Sequence, residues 1–319
     1  MCVEHLRKHE KYDALIARCR GLAPVPTAVV HPCDETSLGG AIEAAEAGII
    51  RPLLVGPTPK IRAVAETLRL DLGPYEIVDA PHSHAAAEKG VELVRLGKAE
   101  LLMKGSLHTD ELLAEVVRKD TGLRTERRIS HVFCMDVPTY HKPLFITDAA
   151  VNIFPSLEDK VDIVKNAIEL AQALGIKEPK IAILSAVETV NPKIPSTIDA
   201  AALCKMAGRQ QITGGVLDGP LAFDNAISRD AAEIKHIKSE VCGEADILLV
   251  PDLEAGNMLV KELSYLADAD SAGIVLGARV PIILTSRADN VRARMASCAV
   301  AALYAHSRRT AAVSVKLAG

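Results

Sequence analysis

Tryptophan is absent from this 319-residue sequence, and aromatic residues make up only 3% of it. Proteins that bind single-stranded nucleic acids stack the bases on aromatic side chains, so this composition argues against that function. An excess of one charge is also lacking, because the formal net charge is -4 and the basic residues are spread out, apart from the cluster Arg124, Arg127 and Arg128. We therefore expect no nucleic-acid partner.

Long apolar runs are missing as well. No stretch approaches the roughly 20 uninterrupted apolar residues that a membrane span requires. The first residues, MCVEHLRKHEKYD, are charged throughout and lack the apolar core of a signal peptide. The sequence therefore predicts a cytoplasmic protein without a membrane partner.

Closely spaced cysteines are the third absence. The seven cysteines are an odd number, and no two of them are closer than 14 residues, which excludes a CxxC metal or redox site and predicts reduced, mostly buried thiols. His31, His82 and His84 lack a metal-like spacing such as HExxH, so we interpret them as surface or loop histidines. No metal and no permanently bound cofactor are expected.

Apolar segments of two kinds alternate along the chain. Hydrophobic residues make up 49% of the sequence, and short runs rich in β-branched residues alternate with longer segments of helical period. This alternation is typical of parallel βαβ units and predicts an α/β fold. The predicted strands are Thr27–His31, Leu53–Gly56, Tyr75–Asp79, Leu101–Lys104, His131–Met135, Leu144–Thr147, Ile181–Ser185, Gly215–Asp218, Ile247–Val250, Gly273–Leu276 and Pro281–Thr285.

The N-termini of three helices can be predicted, because short polar side chains that can cap a helix precede segments with apolar residues at helical spacing. The predicted starts are Thr36 and Ser37 for a helix through Ala47, Ser156 for a helix through Leu174, and Asp289 or Asn290 for a helix through Tyr304.

The length of the chain suggests two domains. Pro138 and Pro143 bracket a polar stretch that is the expected boundary, and a second crossing is expected near Arg279–Pro281. The prediction is one α/β domain of residues 1–137 and 280–319 and a second of residues 138–279. Two domains joined by two crossings would form a cleft.

Ligands of open parallel sheets bind beyond the carboxyl ends of the strands, so polar residues at these ends are candidate site residues. In LLMKGSLHTDELL, a strand ends at Lys104, and Gly105 and Thr109 follow before a helix. A lysine suits phosphate, and a glycine lets the backbone come close to a ligand. An ordinary loop with a solvated lysine and a threonine cap is an equal alternative.

A second candidate is ILLVPDLEAGNMLVKEL, in which an apolar strand is followed by Asp252, Gly256, Asn257 and Lys261. Gly256 permits an unusual backbone angle, Asn257 can cap the helix, and Lys261 lies one turn further on the same face. The pattern is only moderately specific, because many helix starts look like this.

A third candidate is PIILTSRADN, where a buried-looking strand ends just before Ser286 and Arg287 and a helix start at Asp289. Arginine binds phosphate oxygens through a bidentate fork, and the helix N-terminus adds N–H groups. An exposed arginine beside a capped helix is the alternative, but we favour a functional role.

With these motifs, the sequence resembles the phosphate acetyltransferase and phosphate butyryltransferase family. The matching stretches keep the family's order: KGSLHT at 104–109, FITDAAVNIFP at 145–155, LDGPLAFDNAIS at 217–228, VPDLEAGNMLVKEL at 250–263 and PIILTSRAD at 281–289. The resemblance implies two α/β domains with a cleft, as in isocitrate and isopropylmalate dehydrogenases, and a homodimer formed by the second domain.

The resemblance also implies the reaction, in which acyl-CoA and phosphate give acyl phosphate and coenzyme A by direct transfer in a ternary complex. Ser286, Arg287 and Asp289 would be the catalytic residues: a donor to the carbonyl oxygen, a phosphate ligand and the base. Substrate binding would involve Lys104, Gly105, Thr109, Asp252, Gly256, Asn257 and Lys261.

Three positions depart from the acetyltransferase pattern. Tyr265 stands where an arginine is typical, Ala293 where an aspartate is typical, and Ala149 where a cysteine is frequent. Tyr265, Ala149 and the stretch DGPLAFDNAIS at 218–228 favour the butyryl branch, whereas the alanine at 293 leaves Asp289 as the candidate base. Two other functions stay open: a non-catalytic protein that binds acyl-CoA or acyl phosphate, and a metal-dependent hydroxyacid dehydrogenase, although the acidic cluster that this enzyme requires is not evident.

Overall fold

A computed structural model describes residues 10–285 and 291–318, with side chains up to residue 311. Strands and helices alternate through these ranges, which confirms the predicted α/β class. The chain forms two compact units. We call residues 12–127 and 272–318 the terminal unit, and residues 128–271, with the described part of 1–11, the middle unit.

The units divide at 127/128 and 271/272, whereas the sequence suggested 137/138 and 279/280. The strand Ser130–Asp136 pairs antiparallel with the strand Leu144–Thr147. The proline-bracketed segment 136–143 therefore connects two paired strands of one unit and is not a linker.

Each of the eleven predicted strands overlaps a strand of the described residues. These strands are β1 Val25–Val30, β2 Ile50–Gly56, β3 Glu76–Asp79, β4 Leu101–Lys104, β5 Ser130–Asp136, β6 Leu144–Thr147, β7 Lys180–Leu184, β8 Val216–Leu221, β9 Ile247–Leu249, β10 Asp270–Leu276 and β11 Ile282–Ile283. The helices are α1 Glu10–Arg18, α2 Glu35–Glu46, α3 Thr58–Leu68, α4 Ser83–Arg95, α5 Thr109–Val116, α6 Leu157–Ala173, α7 Pro195–Gly208, α8 Phe223–Ile227, α9 Arg229–Ile234, α10 Leu253–Leu266 and α11 Val291–Ala318.

The helix starts were predicted with mixed success. Ser156 caps α6 as predicted, in a capping box with Asp159. The predicted start of α2 at Thr36 and Ser37 is wrong, because the carboxylate of Asp34 accepts the backbone N–H of Ser37 at 2.7 Å and caps the helix earlier. The start predicted at 289–290 lies outside the described residues.

The sheet of the terminal unit has the strand order β3-β2-β1-β4-β11-β10. All pairs from β3 to β11 are parallel, and β10 with β11 is antiparallel. From β1 the chain runs outward to β3 and then returns to the other side of β1 as β4. The topological switch point, where loops diverge and ligands bind in open α/β sheets, therefore lies between β1 and β4.

The sheet of the middle unit has the order β5-β6-β9-β7-β8, with one antiparallel pair, β5 with β6. Its core includes Ile146, Leu248 and Ala182, which are fully buried. Each unit thus combines the predicted parallel strands with one antiparallel pair, which the sequence did not indicate.

All six described cysteines are thiols, four of them buried and Cys33 and Cys204 half-buried. Burial raises the pKa of Cys33 to about 11 and that of Cys204 to about 12. No helix in the described ranges is both long enough and apolar enough to cross a membrane.

Candidate active site

The carboxyl ends of β1 and β4, on either side of the switch point, carry His31 and Lys104. Every residue of β4 is buried, and Lys104 is only 8% exposed. Its Nζ donates a hydrogen bond to the carbonyl oxygen of Gly105 at 3.2 Å. A buried cation is therefore held at the edge of the sheet where an anionic ligand is expected.

Gly105 packs directly against the end of β1. Its N–H donates to the carbonyl oxygen of Val30 at 2.8 Å. A Cβ atom at this position would lie 2.4 Å from that oxygen and 2.5 Å from the carbonyl oxygen of His31. The glycine was predicted to allow a close approach to a ligand, and the structure shows a close approach to the protein's own backbone.

His31 and Ser106 form a hydrogen-bonded pair across the switch point. Nδ1 of His31 lies 3.1 Å from Oγ of Ser106, and both the backbone N–H and the hydroxyl of Ser106 lie 2.9 Å from the carbonyl oxygen of His31. The backbone N–H of Cys33 also reaches Oγ of Ser106, at 3.2 Å. The loops after β1 and β4 are thus joined at a single point.

The imidazole of His31 is half-buried. Burial lowers its pKa, the charge of Lys60 lowers it further, and the carboxylates of Glu111 and Asp34 partly oppose both effects. A lowered histidine pKa favours the neutral ring at neutral pH.

Thr109, another predicted site residue, is the first residue of α5. His108 occupies the N-cap position, and its side chain makes no capping hydrogen bond. Asp110 and Glu111 lie in the first turn, where negative charge is favourable. Thr109 is half-buried, and its role stays a prediction.

The second group of predicted residues lies at the start of α10 in the middle unit. The carboxylate of Asp252 accepts the N–H of Ala255 at 2.9 Å and caps the helix. The cap expected at Asn257 is therefore wrong, since Asn257 lies within the helix and its side chain is available for another contact.

Gly256 and Asn257 both contact Ala149. A Cβ atom on Gly256 would lie 2.8 Å from Cβ of Ala149 and 2.7 Å from Cγ2 of Val250, so close packing rather than an unusual backbone angle requires this glycine. Nδ2 of Asn257 donates to the carbonyl oxygen of Ala149 at 3.3 Å. Lys261, one turn further, is exposed.

Ala149 follows Asp148, a carboxylate that the sequence analysis did not single out. Asp148 is 2% exposed and accepts backbone N–H groups from His131, Ala150, Val151 and Asn152, at 2.9 to 3.2 Å. The side-chain amide of Asn152 adds a further bond at 2.6 Å. Asp148 therefore holds the loop that presents Ala149 to α10.

Ser286, Arg287 and Asp289, the predicted catalytic residues, lie outside the described residues. The described chain reaches Thr285 just after β11, which is parallel to β4. Since parallel neighbours end at the same edge of a sheet, β11 delivers the chain to the edge that carries Lys104. Their roles stay predictions.

His31 lies in the loop after β1, as predicted for a loop histidine. Its pairing with Ser106 was not predicted, because no local pattern in the sequence links the two residues. No group of three or more His, Cys, Asp or Glu side chains in the described ranges is arranged to hold a metal ion.

Open α/β sheets bind ligands at the switch point, and a buried lysine at that point suits an anionic ligand. The chain belongs to the family described as "Phosphate acetyl/butaryl transferase", whose model matches residues 82–302. It is therefore a phosphate acyltransferase, and the dehydrogenase and the non-catalytic binding protein are set aside.

Individual relatives agree with this assignment. The chain is 70% identical to a phosphate acetyltransferase of Rhizobium meliloti, over 95% of this chain and 96% of that protein. It is 42% identical to a phosphate butyryltransferase of Clostridium acetobutylicum, over 94% and 99%. Among solved structures, a branched-chain phosphotransacylase from Enterococcus faecalis V583 has 30% identity and a TM-score of 0.76, covering 88% of this chain and 99% of that one.

These identities correct the expectation that the chain lies closer to the butyryltransferases than to the acetyltransferases. Tyr265, Ala149 and the stretch 218–228 favoured the butyryltransferases, yet the acetyltransferase relative is much more similar than the butyryltransferase relative. Single departures from a motif are thus weaker indicators of the branch than identity along the whole chain.

Proposed function

We propose that this phosphate acyltransferase transfers an acetyl group reversibly between coenzyme A and inorganic phosphate. The proposal rests above all on the 70% identity with the phosphate acetyltransferase of Rhizobium meliloti, which extends over nearly all of both chains. In the synthetic direction, a phosphate oxygen attacks the thioester carbonyl in a ternary complex, the carbon–sulfur bond breaks, and acetyl phosphate and the thiol of coenzyme A leave.

The proposed catalytic roles follow from side-chain chemistry. Arg287 holds the phosphate through a bidentate fork. Ser286 donates a hydrogen bond to the carbonyl oxygen as negative charge develops there, and one such donor typically contributes ~3 kcal/mol to transition-state stabilisation. Asp289 removes the thiol proton of coenzyme A in the reverse reaction, in which the thiolate attacks acetyl phosphate.

The described site residues would bind the anionic parts of the substrates. Buried Lys104 supplies positive potential at the carboxyl end of β4, and Gly105 and Thr109 form the turn and helix start beside it. In the middle unit, Asn257 and Lys261 on α10 would offer an amide and a cation to an anionic group, while Asp252 and Gly256 fix the helix start and its packing.

The acyl preference is tested by measuring phosphate-dependent thiol release from acetyl-, propionyl- and butyryl-CoA. We expect kcat/KM to be highest for acetyl-CoA, by about tenfold over butyryl-CoA, the usual range for discrimination between chains that differ by a few methylenes. An equal or higher value for butyryl-CoA would contradict the acetyl preference. Thiol release that does not depend on phosphate would contradict the proposed reaction.

A homodimer is proposed on the outer face of α10. Met258, Tyr265 and Leu266 are 64%, 77% and 82% exposed. Their spacing of seven and eight residues places them on one side of the helix. Contiguous exposed apolar side chains usually mark an interface.

Replacing both Tyr265 and Leu266 by glutamate is expected to convert the dimer into a monomer, because the new carboxylates would lose their water in the interface. Sedimentation equilibrium measures the mass, which is 34.0 kDa for one chain. Leu96→Glu, at a position 61% exposed in the terminal unit, is the matched control and should leave the mass unchanged. A dimeric double variant, or a monomeric parent protein, would contradict this interface.

A further inference from the structure

The hydroxyl of Ser106 has two acceptors within reach, the carbonyl oxygen of His31 at 2.9 Å and Nδ1 of His31 at 3.1 Å. The carbonyl oxygen also accepts the backbone N–H groups of Cys33 at 2.8 Å and Ser106 at 2.9 Å. A carbonyl oxygen has two lone pairs, so these two N–H donors already satisfy it. This competition favours the arrangement in which the hydroxyl donates to Nδ1.

If the serine hydroxyl donates to Nδ1, the neutral ring carries its own proton on Nε2. In the described ranges, the hydrogen bond recorded for this ring is the one at Nδ1. Nε2 of His31 is not among the buried side-chain atoms that lack a partner, whereas Nδ1 of His131 is. A hydrogen-bond donor therefore remains available beside the switch point.

The backbone of His31 is held in one conformation by its neighbours. Its φ angle is +56°, in the left-handed region, where histidine is one of the enriched residues other than glycine. Such a conformation costs free energy, so the surrounding structure must hold it. Here the hydrogen bonds to Ser106 and Cys33 hold the conformation and fix the direction of the ring.

We propose that Nε2–H of His31, oriented by Ser106, donates a hydrogen bond to a phosphate oxygen of a substrate at the carboxyl ends of β1 and β4. This inference rests on the proposed function for the identity of that substrate: inorganic phosphate, acetyl phosphate or a phosphate group of coenzyme A. Lys104 pairs with Val30, the residue before His31, at the same edge of the sheet. An ammonium group acts as a point charge, whereas an imidazole N–H donates in one direction, so the two groups would complement each other.

The charges around the ring are compatible with an anion. Lys60 on α3 and His82 before α4 supply basic groups, whereas Asp34 before α2 and Glu111 on α5 supply carboxylates. Glu111 has hydrogen bonds with the Ser83 side chain and the backbone of His108, and the carboxylate of Asp34 caps α2. Both carboxylates therefore have partners of their own.

Two substitutions distinguish the role of Nε2, which is proposed to bind substrate, from that of Nδ1, which contacts Ser106. His31→Asn keeps a short polar group near Nδ1 and tolerates the left-handed backbone, but it removes the donor at Nε2. His31→Gln places an amide N–H near the position of Nε2. We expect His31→Asn to raise KM for one phosphate-bearing substrate at least about tenfold, with kcat nearly unchanged, and His31→Gln to raise it less than about threefold.

The matched control is His236→Asn, because His236 is an exposed histidine that also has a left-handed backbone, with φ of +57°. Its KM values should equal those of the parent protein. The substrate whose KM rises, phosphate or acetyl-CoA, identifies the group that His31 binds. Calorimetric titration with inorganic phosphate and with coenzyme A gives the affinities without turnover, so it tests His31 even if the proposed reaction fails.

Three results would overturn the inference. The first is parental KM values and affinities in a folded His31→Asn variant. The second is a larger loss in His31→Gln than in His31→Asn, which would assign the effect to the contact with Ser106 alone. The third, measured on the parent protein, is a ¹⁵N NMR spectrum showing that the neutral ring of His31 carries its proton on Nδ1.

Discussion

Gly105→Ala is expected to lower kcat/KM for the phosphate-dependent reaction by about 100-fold. The new methyl group would lie 2.4 Å and 2.5 Å from the carbonyl oxygens of Val30 and His31. Neither oxygen can rotate away, because both belong to the backbone at the end of a central strand. The turn must shift away from β1, and a displacement of about 1 Å in a positioning element can cost 10²-fold in rate.

The same substitution should lower the free energy of unfolding by about 1–3 kcal/mol, which is typical when a group is forced into a packed region. Gly39→Ala in α2 is the matched control. Its added Cβ would meet only Cδ1 of Leu68 at 3.7 Å, which is an ordinary contact. Urea denaturation and initial rates on both variants give the comparison. Parental activity in Gly105→Ala would show that the turn does not position substrate.

Arg287→Gln is expected to reduce kcat/KM by about 10²- to 10³-fold, through a higher KM for phosphate and a lower kcat. Glutamine keeps much of the length but removes the charge and the bidentate fork. A donor that stabilises developing charge in the transition state is typically worth about 3–4 kcal/mol. Thiol release from acetyl-CoA at varied phosphate concentration measures both parameters.

Arg62→Gln on α3 is the matched control, because Arg62 is exposed in the same unit and belongs to none of the proposed sites. Its kinetic parameters should equal those of the parent protein. If Arg287→Gln keeps both its rate and its phosphate affinity, the phosphate site assigned to 286–289 is wrong. Asp289→Asn tests the base separately, and an unchanged rate in both directions would remove that role.

The sequence predicted the strands well, because their burial leaves a local signal. Val25, Val29 and Val30 are fully buried in a strand with parallel neighbours on both sides, so β1 appears in the sequence as a short β-branched run. Ser156 was predictable because its signal is also local: the capping box that it forms with Asp159 is encoded within four residues.

The parts that escaped prediction depend on contacts between segments far apart in the chain. His31 lies in the loop after β1, and its partner Ser106, 75 residues later, meets it across the switch point. Asp148 organises its loop through a bond to His131, 17 residues earlier. The strand order brings these residues together, and no local pattern in the sequence records that order.

The antiparallel pairing of β5 with β6 also escaped prediction, because it depends on how two segments meet in the sheet. Both strands read as buried runs, and neither pattern distinguishes a parallel neighbour from an antiparallel one. Pro138 and Pro143 could mark a linker or a connection within one sheet, and the pairing of Cys134 with Phe145 decides for the connection.

The buried thiols also determine how cleanly the reaction can be followed. Burial raises the pKa of Cys134 and Cys298, as well as those of half-buried Cys33 and Cys204, to between about 11 and about 12. Aromatic disulfide reagents react with thiolates, and thiols with such pKa values supply very few at neutral pH. The colour that develops in a coupled assay therefore reports coenzyme A released into solution, with a low background from these side chains of the folded enzyme.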